Sequence, residues 1–437
     1  MITSSRFSHI LIGISLLAAL TGCGKKEQPT FMNNAAESYV KLVLAMGTHD
    51  AGYVDAYYGP QAWRTAVESE AKGLDQIIQE ATALQQELRA AATPSDQMDK
   101  LRKDYLTTQL GALIAFGEQK NGKRFSFDEE SWALYNAVAP HYDIPHYEAI
   151  LTELNSLVPG TGDLSTRVND FRAQFDIPAE KVDQVFVAAI DEARRRTLKQ
   201  IELPADESFR IEYVNDKPWG AYNWYQGSGQ SLIQVNTDLP MNIDRAVDLA
   251  AHEGYPGHHV YNALLEQHMV DERGWIEFSV YPLQSPQSLI AEGTANFGVE
   301  VAFPGTDRIR FEKEVLFPIA GLDTSQAELF YAISELKDKL SYADNEAARG
   351  YLDGTMTADE AVNFMVKHSL MSPERARKRL SFFEVYRSYI INYSYGQDLV
   401  RNYINDLGGT ADNPQRRWEL FMELISSPRL PAGLKLD

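Results

Sequence analysis

Residues 252–259 read HEGYPGHH and place three of the chain's nine histidines and a glutamate within eight positions. Apolar segments flank the stretch, AVDLAA before it and VYNALL after it, so it interrupts a helical run. In an unbroken helix a residue four positions on lies about 6 Å along the axis, and residues six or seven on lie about 9 to 10.5 Å away. Metal–nitrogen bonds are about 2.1 Å long. His252 can therefore share an ion with His258 or His259 only if the helix breaks between them. Pro256 is placed to break it, because its ring clashes with the carbonyl of His252 and it has no N–H to donate. Gly254 and Gly257 supply the backbone freedom to absorb the break. The expected geometry is a helix ending near His252–Glu253, a short bulge, and a second helix starting near His258.

The adjacent His252 and Glu253 have the order found in the HExxH helix of zinc peptidases, where two histidines hold the metal and the glutamate is the general base. The plainer reading, polar residues at a helix kink, suits a lone histidine better than this cluster. A further acid stands out in Ser288–Glu300, SLIAEGTANFGVE, which is apolar apart from a few positions. A lone buried carboxylate is costly, and a divalent ion is a natural partner. Glu292 is thus the candidate third ligand, completing two histidines, one glutamate and an open position for water. Glu300 lies about 12 Å further along the same helix and is at most a supporting group.

The chain has 437 residues with ordinary globular content, 44% hydrophobic and 23% charged, enough for a sizeable core. Its net charge of −20 argues against a nucleic-acid partner or a broad contact with anionic lipid. Residues 1–22 carry Arg6, an apolar run from Ile10 to Leu20 and small residues before Cys23. That run is too short to span a membrane and reads as a secretory signal. Leu20-Thr21-Gly22-Cys23 resembles a bacterial lipobox, and Cys23 is the only cysteine. The expectation is a lipoprotein signal over 1–22, a polar tether over 23–30, and a lipid on Cys23 that anchors the chain in the cell envelope, at the outer membrane facing the periplasm.

The remaining chain divides near residue 204. Residues 31–203 show apolar spacing of helical period, as in LDQIIQEATALQQEL and VDQVFVAAIDEA, with breaks at Tyr58-Gly59-Pro60, Val158-Pro159-Gly160 and Ile177-Pro178. Thr93-Pro94-Ser95-Asp96 reads as a helix start with Pro94 in the first turn. Tyr53–Pro60, YVDAYYGP, reads as a loop that packs tyrosines on the core, with a part in a substrate pocket as the alternative. Residues 204–437 form the metal-site region, continuous with the N-terminal helices as one catalytic unit. There Phe209–Val214 alternates as a half-buried strand does, and Ser231–Asn236 reads as another short strand after a Trp/Tyr/Gly-rich loop. This small sheet precedes the metal helix and offers an edge for a substrate backbone. Asn242 or Asp244 is placed to cap the helix leading into His252. Ser372-Pro373-Glu374 opens a long helix running through ARKRLSFFEVYRSYII, near whose end Arg387 and Tyr393 stand out. The fold class is mainly α, with a small β-sheet beside the site helix.

HEGYPGHH, the AEGTANFGVE segment and the terminal EVYRSYIINYSYG together resemble the bacterial domain of unknown function 885 family, whose members carry motifs like HEAxPGHH, EGWAxY and EVxRY…YxxG. The resemblance extends over most of the mature chain, including YVDAYYGP and VPGTGDLSTR. It implies a multi-helical zincin-like fold, distantly similar to carboxypeptidase Taq and angiotensin-converting enzyme. Their HExGH corresponds here to His252-Glu253 and Gly257-His258 with two inserted residues. On that correspondence His258, rather than His259, is the second ligand and Glu292 the third. Tyr393, and less directly Arg387, fall where the family tract supplies a donor, and His259 would orient substrate. Thr294 stands where the family often has a bulky residue, which implies a different pocket wall.

The expectation is therefore a zinc-dependent peptidase. His252, His258 and Glu292 hold Zn2+, Glu253 takes a proton from the activated water, and Tyr393, Arg387 or His259 stabilises the oxyanion or holds a substrate carboxylate. Substrates would be peptides or other amides, with carboxypeptidase action favoured by the relatives and by the available arginine. The alternative is a non-catalytic periplasmic lipoprotein that uses the same cleft to bind a ligand or partner. Oligomeric state has no signature in the sequence.

Overall fold

Helix signals in the first half of the chain act much as their chemistry dictates. The computed structural model describes residues 30–217 and 219–436, so the expected leader, Cys23 and all of the tether but Thr30 lie outside the described residues. From Phe31 to Thr197 helices follow one another with the expected breaks between them. Among them are α1 (Gln97–Lys120), α2 (Phe127–Tyr135) and α3 (Val182–Thr197). Asp96 caps α1 by accepting from the amides of Met98 and Asp99, so Pro94 lies outside the first turn. Ser126 and Glu129 form a reciprocal capping box on α2. Arg194, Arg195 and Arg196 occupy the last turn of α3, where the helix dipole favours cations.

The structure is mainly α, with two small sheets. Strand β1 (Val54–Tyr57) lies within the stretch expected as a loop. Then come β2 (Ser208–Val214), β3 (Ala221–Gly227), β4 (Gln230–Asn236) and β5 (Val280–Pro282). β1 pairs antiparallel with β5, with a bulge between Val54 and Ala56. The second sheet has the order β2-β4-β3, with β2 parallel and β3 antiparallel to β4. β3 occupies the segment expected to be an irregular loop. Its alternating aromatic residues favour a pleated strand, and Ser228 and Gly229, at φ 55° and 68°, make the tight turn to β4.

The remaining elements build the site. Helix α4 (Asp244–Leu249) runs into a single wide turn over Ala250–Gly254, and α5 (His258–Leu265) starts after the break. Helix α6 (Pro286–Ala302) is the core of the molecule: every residue but Asn296 and Glu300 is buried, as befits a helix apolar on all sides. Neither Asn242 nor Asp244 caps α4. Both are engaged by Arg172 instead, whose Nη2 donates to Asn242 Oδ1 and Asp244 Oδ2. Helix α7 (Pro373–Tyr386) is capped by Ser372 as expected, but it stops at Arg387, which takes φ 51°. A short tight turn over Arg387–Ile390 leads to α8 (Ile391–Asp406).

α8 packs against α6 where two glycines meet. A Cβ on Gly293 would lie 2.4 Å from the carbonyl oxygen of Gly396. This close approach brings the neighbours of Gly293 and Gly396, Glu292 and the tyrosines around residue 390, to one place. Long-range polar ties join the N-terminal helices to this core. Arg102 on α1 pairs with the buried Glu277 at 2.5 Å, and Tyr105 donates to Gln287 on α6 at 2.7 Å. Because the crossing leaves no space for a methyl group, Gly293→Ala should lower unfolding free energy by about 1 to 3 kcal/mol. Chemical denaturation of wild type and variant side by side measures this, and an unchanged midpoint would refute the packing argument.

Candidate metal centre

The break in the helix does what the spacing of the histidines requires. After Gly254 the chain leaves helical geometry. The amide of Gly257 turns back to donate to Ala251 O at 2.9 Å, and a Cβ on Gly257 would lie 1.9 Å from the carbonyl oxygen of His252. Only glycine permits this fold-back. Pro256 rests on α6 at Gly298. The result sets the rings of His252 and His258 edge to face, 4.6 Å between centroids. Glu292 on α6 closes the group. Its Oε2 is 3.2 Å from His252 Nε2 and 3.7 Å from His258 Nε2, and ligand atoms of the three residues all lie within 4.8 Å of one another.

These distances suit a shared cation. Tetrahedral ligands at about 2.1 Å from an ion are about 3.4 Å apart, between the two measured values. Hydrogen bonding points the same way. The Asn296 amide is oriented by donating through Nδ2 to Tyr393 O at 3.2 Å, so its Oδ1 accepts from His252 Nδ1 at 3.0 Å. That leaves the lone pair of His252 Nε2 aimed at a carboxylate oxygen, a repulsive pairing unless a cation or proton lies between. Glu292 Oε1 accepts from the Tyr389 hydroxyl at 2.8 Å, while its Oε2 is buried without a hydrogen-bond partner. Burial opposes the charge of Glu292, yet the two imidazoles hold it well below the usual carboxylate range. Burial likewise pulls His258 down, but Glu292, Glu253 and Asp55 outweigh it and raise it to about 9. Three carboxylates, Glu292, Glu253 and Asp55, thus act on His258.

Glu253 stands beside the ligands, 4% exposed, its Oε2 without a donor. Burial lifts its pKa above the usual range, which suits a group that takes up a proton. Its backbone carbonyl accepts from Asn223 Nδ2 on β3 at 2.7 Å, tying the strand to the turn. Tyr393 reaches the same cleft, with its hydroxyl kept protonated by burial and by the charge of Glu292. The cleft holds about 1880 Å³, and Ala221, Tyr222 and Asn223 of the edge strand β3 line it.

Two expected site residues are elsewhere. Arg387 does not line the cleft. Its Nε donates to Glu130 Oε2 at 2.6 Å, and Glu130 also accepts from the amide and hydroxyl of Ser388. The arginine therefore acts by holding the turn that carries Tyr389, the hydrogen-bond donor to Glu292. His259 is fully buried behind the site. Its Nε2 bonds Glu207 Oε2 and its Nδ1 bonds Ser231 Oγ, both at 2.9 Å. Tyr255 and Arg194 also donate to Glu207. His259 thus pins α5 to β4 and to the end of α3, and cannot meet a substrate. Glu300 is taken by Arg401 and Gln397. Thr294 is buried and bonds the carbonyl of Ile290 within its own helix, so it forms no part of the cleft wall.

Other residues at the site carried no individual signal in the sequence: Asn296, Tyr389, Tyr222 and Asp55. Asp55 sits in the YVDAYYGP stretch, lines the cleft, and accepts from the Tyr222 hydroxyl. Burial raises its carboxyl to about 6. Its tyrosine neighbours were legible as a cluster, but which of the eight residues faces the cleft was not.

No protein-family model matches the chain, and no curated protein matches it significantly. Among solved structures, a candidate lipoprotein from Colwellia psychrerythraea is similar with a TM-score of 0.51 at 13% identity, over 83% of this chain and 66% of that one. The chain thus spans 66% of the length of that protein, and the likeness is one of fold. A protein called BsuCP matches at 0.43 and 10% identity, over 90% of this chain and 89% of that one. A candidate lipoprotein of unknown function from Shewanella oneidensis matches at 0.42 and 11% identity, over 89% and 82%.

The hydrogen bonds that orient the candidate ligands give a direct test. Tyr389→Phe and Asn296→Ala should each weaken Zn2+ binding by about 10- to 100-fold, the usual effect of removing a group that orients a ligand. Competition titration against a chromophoric chelator reads this, and affinities equal to wild type would remove both residues from the account.

Proposed function

We propose that the protein is a zinc-dependent hydrolase that cleaves peptide bonds in the cell envelope. The observation that carries this reading is the His252–His258–Glu292 cluster, in which Glu292 Oε2 lies 3.2 and 3.7 Å from the two histidine nitrogens, with a buried glutamate, Glu253, at its side. A zinc ion held there supplies a Lewis acid and lowers the pKa of an attacking water towards about 7.

The chain's own groups would do the rest. Glu253 accepts the proton of the attacking water and returns it to the leaving amine. Tyr393, protonated and facing the cleft, donates to the oxygen on which charge develops. The edge strand β3 offers unpaired backbone groups along the cleft to an extended peptide, with Tyr222 and Asn223 beside the reacting bond. Carboxypeptidase action loses one support, since Arg387 is committed to Glu130. The envelope location rests on the lipobox-like Leu20–Cys23 and on the Colwellia protein of similar fold, itself described as a candidate lipoprotein. The motifs HEGYPGHH and AEGTANFGVE support membership of the domain of unknown function 885 family.

Metal analysis of the purified protein tests the reading. About one zinc per chain is expected, lost in His252→Ala, His258→Ala and Glu292→Ala. Glu253→Gln should keep the zinc and lower peptide turnover by about 10²- to 10⁴-fold. A wild-type chain that holds no metal after zinc is added back overturns the mechanism. A zinc-loaded chain that never cleaves peptides, and binds them equally well with and without the Glu253→Gln substitution, is a binding protein instead.

A further inference from the structure

Of the cleft carboxylates that neither the ligand set nor the proton transfer uses, Asp55 is the one that acts on His258, Glu253 and Glu292 together. Asp55 lies at the bulge in β1, between Val54 and Ala56, where the strand register shifts. Bulges beside active sites commonly re-aim a side chain, and here the side chain of Asp55 lines the cleft. It is not among the residues whose ligand atoms cluster on the candidate metal position. Among the described residues its side-chain partner is the Tyr222 hydroxyl, and it makes no ion pair.

The surroundings of Asp55 are aromatic and anionic. Tyr222, Tyr281 and Tyr386 line the same part of the cleft, and each is close enough to feel its charge. Glu253 and Glu292 are also close enough to raise its carboxyl, and His258 to lower it. The cleft-facing cations of α7, Arg379, Lys378 and Arg375, sit seven to eleven residues before Tyr386, about 10 to 16 Å along the helix. The carboxylates of Asp55, Glu253 and Glu292 are gathered at this end of the cleft, with Arg245 acting on Glu253 and His258 on Asp55. A carboxylate flanked by tyrosine rings is a suitable receptor for an ammonium group.

We propose that Asp55, held by Tyr222, anchors an ammonium group of the substrate next to the scissile bond, which makes a free peptide N-terminus or a lysine side chain the feature the site selects. This rests on the peptidase reading and gives its substrate class. The test uses zinc-loaded chains carrying Glu253→Gln, so that binding is measured by calorimetry without turnover. One pair of peptides differs only by N-acetylation. A second pair, both acetylated, differs by lysine against norleucine.

In one of the two pairs the ammonium-bearing peptide should bind at least about tenfold tighter, and the pair concerned identifies the source. Adding Asp55→Asn should collapse that ratio towards one, and Tyr222→Phe should reduce it in part. The second variant keeps the test open should Asp55→Asn not fold. Ratios near one in both pairs with Asp55 present, or a ratio that survives Asp55→Asn, overturn the inference while leaving a peptidase that cleaves peptides without this preference. Failure to bind any peptide, joined with no cleavage by the unmodified chain, overturns the peptidase reading and this inference with it.

Discussion

A carboxylate on a helix buried on nearly every side sets the terms for the rest of the molecule. Glu292 lies on α6, the most enclosed helix, with 6% of its surface exposed. A charge there is tolerable only when neighbours compensate it. Each neighbour arrives by a different route. His252 and His258 reach it because the helix between them is broken and Gly257 folds against the His252 carbonyl. Tyr389 reaches it because Arg387 adopts a left-handed conformation that ends α7, held there by Glu130. The crossing at Gly293 and Gly396 brings that turn within hydrogen-bond range. Compensation of one charge thus explains features that look unrelated along the chain.

The parts of this arrangement legible in the sequence were those set by local chemistry. Proline and glycine between two histidines imply a broken helix whatever the tertiary structure, and the helical periods and the alternation of β2 are local as well. Glu292 stood out because an acid in an apolar run contradicts its surroundings. What escaped was partner identity across long separations. Arg387 looked available because its partner is remote: Glu384, three residues before it, accepts from the Tyr351 hydroxyl, and Glu130 lies 257 residues away. His259 looked like a site residue because it adjoins His258, but successive helical residues point about 100° apart, and that rotation sends it to Glu207. β3 was hidden by its glycines and aromatic residues, which resemble loop composition until the two-residue turn at Ser228-Gly229 is recognised.

The supporting network also divides the work of the two flanks. Behind α5, His259, Tyr255 and Arg194 converge on Glu207 and burial of that carboxylate is more than offset by their hydrogen bonds, which hold its pKa low. In front, the tyrosines of β3, β5 and the turn after α7 line the cleft. The candidate ligands therefore sit between a hydrogen-bonded polar wall and an aromatic one that lines the cleft.

The tie between Glu130 and the Arg387 turn has a consequence for how the protein matures. A chain emerging from its N-terminus presents Glu130 long before Arg387, Ser388 and Tyr389 exist to meet it, and loop closure over such separations is slow. Until that closure occurs Glu292 has no Tyr389 to orient it, and the three candidate ligands are not yet organised as a set. Organisation of the His252–His258–Glu292 cluster therefore waits on a contact made late along the chain. A chain that lacks Arg387–Tyr389 therefore lacks the hydrogen bond that orients Glu292.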